Sequence, residues 1–87
     1  MMKIYAIEVW EGTWQVEKHV YLITEFYTSL HDATNEAWEV LDYLKARAKG
    51  NEYIDFVKDP FSDEVEENMR RAGNYKICHI VEHSVIK

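Results

Sequence analysis

The stretch SLHDATNEAWEVLDYLKARAK, residues 29–49, decides the fold class. Leu30, Ala33, Ala37, Leu41, Leu44 and Ala48 recur at steps of three and four, which lines up one stripe of an α-helix. Trp38 and Val40 flank that stripe and widen it. Ser29 is a residue type that caps helix N-termini, and Asp32 stands three positions on, as in a capping box. Asp32, Glu36 and Glu39 come early and Lys45, Arg47 and Lys49 late, each sign where the helix dipole favours it. Gly50-Asn51 supplies the stop. A helix apolar along one stripe needs a second layer to cover it.

The segments on either side supply that layer. Upstream, Lys3 to Glu11 alternates as a strand, with Tyr5, Ile7 and Val9 on one face and Ile4, Ala6 and Trp10 on the other. Both faces are partly apolar, so a central strand is expected. Glu11-Gly12-Thr13 reads as its turn, which would set Trp10 opposite Trp14. Trp14 to Tyr27 is a second β segment. It is long for one strand, so a bulge is expected near Glu17-Lys18-His19, where the apolar alternation lapses.

Downstream, Tyr53 to Val57 suits either a short strand or a helical turn. Pro60 breaks the chain, because Asp59 before it is pushed out of helical geometry. Ser62 can cap a second helix to about Ala72, with Phe61, Val65, Met69 and Ala72 as its thin apolar stripe. Gly73-Asn74 ends it, and Tyr75 to Ile86 is a third strand, again apolar on both faces. The expected fold is α+β: a three-stranded, at most four-stranded, antiparallel sheet with two helices on one face, in the order β-β-α-(short element)-α-β. At 87 residues one small domain over 1–87 is expected.

Charge is distributed unevenly. Between Glu52 and Glu67 stand seven acids, Glu52, Asp55, Asp59, Asp63, Glu64, Glu66 and Glu67, against one base, Lys58. That block carries the whole net charge of −6, since nine acids and nine bases elsewhere cancel. Such a field disfavours direct nucleic-acid or anionic-membrane binding and favours a basic protein partner. Asp59, Asp63, Glu64, Glu66 and Glu67 are the candidate electrostatic contacts, with Tyr53 and Phe61 as apolar anchors. Four of these acids also sit where a helix N-terminus stabilises carboxylates for its own sake, so a merely solvated face is the competing explanation.

Catalytic and cofactor signatures are weak. Cys78, His79 and His83 suggest zinc at first sight. On a strand, however, Cys78 and His79 point to opposite faces, and His79 and His83 stand about 13 Å apart, too far to share an ion. Cys78 has no local partner marking it as a nucleophile. Three glycines provide no phosphate-cradling loop. No enzyme, metal or cofactor is therefore expected. The single cysteine forbids an internal disulfide, and Met1-Met2-Lys3-Ile4-Tyr5 is unlike a secretion signal, so a reducing cytoplasm is the expected compartment.

The junction Phe26-Tyr27-Thr28-Ser29, followed by Ala33 and Ala37, joins two strands to a helix. From Lys3 to about Leu44 the chain resembles small phage and prophage proteins, some of which are similar to anti-CRISPR and other anti-defence inhibitors. That resemblance implies a small inhibitor that binds a host protein, and it implies no particular functional residue. Two other functions remain open: a protein that binds or sequesters a nucleotide or other small molecule, and a homodimer without catalysis formed through the aromatic-rich hairpin.

Overall fold

The structure, a computed structural model, describes residues 2–85, Thr24 by its backbone only. In chain order the elements are β1 (Met2–Thr13), β2 (Glu17–Tyr27), α1 (Leu30–Ala46), β3 (Glu52–Phe56), α2 (Asp63–Ala72) and β4 (Asn74–Val85). The class is α+β, with two helices. The expected extension of the last strand to Ile86 lies outside the described residues.

The four strands form one sheet in the order β2-β1-β4-β3. β1 is antiparallel to both its neighbours, but β3 runs parallel to β4, so the sheet is mixed and not antiparallel. The reason is the connection. A hairpin reverses the chain, whereas α2 carries it back along the sheet so that β4 re-enters in the direction of β3. Tyr53–Val57, ambiguous in sequence, supplies this strand; Val57 continues its ladder by donating from N–H to the Cys78 carbonyl at 2.9 Å.

The helices lie on opposite faces of the sheet, which corrects the expectation that they share one. Ala37 of α1 packs with Ile7 of β1 and Cys78 of β4, joined by Phe56 and Ile80. Val65 and Met69 of α2 pack with Trp10, Tyr75 and Ile77, joined by Tyr53 and Trp14. Ile7 and Trp10 have opposite parity in β1, as do Cys78 and Ile77 in β4, so the two clusters sit on the two faces. Topology requires this. β2→α1→β3 crosses the sheet one way between parallel strands, and β3→α2→β4 crosses back. If both crossovers keep the usual right hand, their helices must fall on opposite sides.

Local details follow from side-chain chemistry. Ser29 caps α1, its hydroxyl accepting from the Asp32 N–H at 3.3 Å, and Ser62 caps α2 in the same way through the Val65 N–H. Helix α1 ends at Ala46, one turn before Gly50. The hairpin turn is Trp14-Gln15-Val16, with Gln15 at φ 61°, and Gly12 lies inside β1. Trp10 therefore faces Val20, not Trp14. Gly12 is needed because a Cβ there would overlap the Glu17 carbonyl across the hairpin. The Trp14 N–H reaches the Gly73 carbonyl at 2.7 Å and ties the hairpin end to the α2–β4 junction. The bulge falls between Leu22 and Phe26, opposite Ile7, and not at 17–19. No helix among the described residues is long and apolar enough to cross a membrane.

Candidate functional site

The acidic segment begins on the edge strand β3, rounds the Asp59-Pro60 turn and enters α2, and its carboxylates do not act alike. Four are occupied by this chain. Glu52 accepts from Lys76 of β4 at 3.1 Å in a half-buried pair. Asp55 accepts from the Phe56 N–H at 2.9 Å and from the Tyr53 hydroxyl at 3.3 Å. Asp59 accepts from the Phe61 N–H at 2.9 Å and so shapes the turn into α2. Glu67 pairs with Arg70 and Arg71 one turn on, and the Arg70 hydrogen bond holds its carboxyl below the usual value. The other three, Asp63, Glu64 and Glu66, are exposed in the first turns of α2 and make no ion pair with the described residues.

Tyr53 and Phe61 part company as well. Tyr53 is half-buried against the α2-side core, and burial raises its hydroxyl pKa ahead of the neighbouring Asp55 charge. Phe61 is 74% exposed, yet one edge of its ring meets Trp10 at 5.1 Å between centroids.

Between β3 and α2 runs an open groove of about 490 Å³. Tyr53, Asp55, Asp59, Ser62, Glu64 and Asn68 line its polar part together with one base, Lys58, and Val57 and Val65 add apolar surface. It brings together Tyr53, Asp59 and Glu64 of the expected site. Asp63, Glu66 and Glu67 do not line it, and Phe61 points instead to Trp10. Asp55, Ser62 and Asn68 were not among the expected contact residues, although Asp55 belonged to the acidic block and Ser62 was read as a helix cap. Asp55 carried the relevant signal, since it shares a strand face with Tyr53 once 52–56 is recognised as β3. Asn68 carried none beyond its place one turn after Glu64.

A second polar cluster lies where α2 leaves its face of the sheet uncovered. Glu8 of β1 stands across from His79 of β4 and accepts from its Nε2 at 2.7 Å, and from the Trp10 indole N–H. Burial alone would raise the Glu8 pKa; the hydrogen bonds from Trp10 and His79, helped by the nearby Lys18 charge, outweigh it and hold the carboxyl low. Lys18 sits 4.3 Å from the Trp10 ring centroid. Sequence gives no hint of the Glu8–His79 pair, because the two are 71 positions apart.

Cys78 is fully buried beneath Ala37 of α1, and burial pushes its thiol up to about 11. Both the cover and the raised pKa disfavour the thiolate at neutral pH. Among the described residues, no group of three His, Cys, Asp or Glu side chains converges to hold a metal ion. Comparison with protein-family models, with curated proteins and with solved structures finds no match.

Proposed function

We propose that this chain is a protein-binding module that takes a basic segment of a partner into the groove between β3 and α2. Glu64, Asp55 and Asp59 face the groove, and Asp63 and Glu66 extend the negative field beyond its rim. Phe61, bare on its outer side, offers an apolar contact beside them. The observation that carries this reading is that Asp63, Glu64 and Glu66 are exposed and lack an ion-pair partner among the described residues, whereas Glu52 and Glu67 are neutralised by Lys76, Arg70 and Arg71. An inhibitor of a host protein, as the phage-like N-terminal half suggests, would act by such docking.

The test is titration of an arginine- and lysine-rich peptide by calorimetry at about 50 and 300 mM salt. Charge-led binding weakens at the higher salt, where screening lengths shorten to several ångströms. The variant D63N/E64Q/E66Q loses at least tenfold in affinity, while E67Q, which breaks only an internal pair, binds as the parent does. Because acids in a first helical turn are worth about 0.3–1 kcal/mol each, the triple variant also melts a few degrees lower. Undiminished binding by the triple variant overturns the proposal.

A further inference from the structure

β4 is longer than the strand beside it. β3 pairs only with Asn74–Cys78, so from His79 to Val85 one side of β4 has no neighbouring strand among the described residues. The direction of its backbone groups follows from the ladder. The Cys78 carbonyl already turns toward the β3 side to accept from Val57. In an antiparallel pair, alternate residues aim both backbone groups at one neighbour. Ile80, Glu82 and Ser84 share the parity of Cys78 and aim theirs away from β1, into the space that β3 leaves when the chain turns off at Lys58.

That space is not flat. On the α1 side it deepens into a cavity of about 460 Å³, lined by Tyr5, Leu30, Phe56 and Ile80, with Lys58 and Glu82 at the polar end. Leu30 is half-exposed at its wall. An unpaired strand edge next to an apolar hollow is the combination used in recognition by strand addition: main-chain hydrogen bonds supply affinity, and every second side chain enters a pocket.

We propose that the β4 edge at Ile80–Ser84 binds an extended peptide segment of another protein, with an apolar side chain in the cavity and a carboxylate at Lys58. Charge selects this occupant. Lys58 makes no ion pair among the described residues, whereas Glu82 is already matched by Lys3 at 3.4 Å. Self-pairing of two β4 edges about Glu82 would set the two Glu82 side chains directly opposite each other, a destabilising arrangement. The cavity adjoins the acidic groove and shares Phe56, Val57 and Lys58 with it, but no β4 residue lines that groove; protection of the β4-edge amides therefore tests this proposal and not the other.

The probe is a synthetic hexapeptide of alternating Val and Thr, with one central Phe and one Glu, blocked at both ends. Its binding protects the Ile80, Glu82 and Ser84 amides from hydrogen exchange and leaves β2 amides unchanged. N-methylation of alternate peptide nitrogens discriminates without altering the protein: one set abolishes binding and the other is tolerated. E82P removes an outward-facing N–H, which an edge strand tolerates, together with the Glu82–Lys3 pair, and lowers affinity at least tenfold, whereas E82Q, which loses the charge and keeps the N–H, binds within a few-fold of the parent; K58E lowers affinity severalfold. Binding that protects none of the three amides overturns the proposal, as does equal tolerance of both methylation patterns. So does protection that rises with protein concentration without peptide, which would assign the edge to a second copy.

Discussion

Cys78, Glu36 and Gly12 show how far single residues set the behaviour of this chain. With its thiol buried and pushed up to about 11, Cys78 reacts only when the sheet opens. Iodoacetamide labelling in native buffer should therefore follow the opening rate; immediate labelling would show that α1 does not cover it. Glu36 is held above the usual carboxylate range, first by burial and then by Glu39 and Glu25 beside it. A raised folded-state pKa means that ionisation costs stability at neutral pH, and the cost fades as pH falls below the unfolded value near 4.5. Glu36→Gln should accordingly stabilise at pH 7 by a few tenths of a kcal/mol, and the gain should vanish near pH 3; a loss of stability at pH 7 would reverse the sign. Gly12→Ala should cost about 2 kcal/mol, read from the urea midpoint, because the new methyl meets backbone and not a yielding side chain.

Among the elements, α1 depends on small residues. Ala33 and Ala37 are fully buried and allow the helix to lie close over Ile7 and Cys78, while Leu41 fills the layer beyond. Leu41→Ala should cost about 2–5 kcal/mol; a loss below 1 kcal/mol would mean that α1 is loosely docked. This helix was legible because its period, cap and charge order all agreed. β1 and β4 were legible as central strands because both their faces are apolar. The turn was misplaced because Gly12 looks like a turn residue, whereas it serves a close cross-strand approach and Gln15 takes the positive φ instead. The bulge was misplaced because Ile23 to Glu25 keep an ordinary strand alternation in sequence. The side taken by α2 was not legible until β3 was known to run parallel to β4. Of the acidic site, the charge excess could be read directly, but which carboxylates were free could not. That depended on where Lys76, Arg70 and Arg71 ended up.

For the whole molecule, opposite helices leave one half-sheet bare. α2 covers only the end near Trp10 and Tyr75, so Val20, Leu22 and Phe26 of β2 stay 44%, 46% and 57% exposed on the same face. β2 is also an edge strand, a position prone to pairing with other chains, and its bulge is a common safeguard. Acid should loosen the molecule from this face, because the low pKa of Glu8 provides stability above about 4.5 that is lost as pH falls through the folded value. Glu8→Gln should lower the melting temperature at pH 7 and narrow the gap from the parent at pH 3. An unchanged gap would leave the Glu8–His79 contact without energetic weight.

The pairing of Met2 with Val85 places the first and last described strands side by side at the centre of the sheet. A nascent chain leaving the ribosome can form its hairpin and first helix early, but it cannot close this centre before β4 has emerged. Folding should consequently wait for β4 and be slow for a sheet of this size, on the millisecond-to-second scale of folds dominated by distant contacts. Stalled chains ending before Asn74 should remain protease-sensitive throughout.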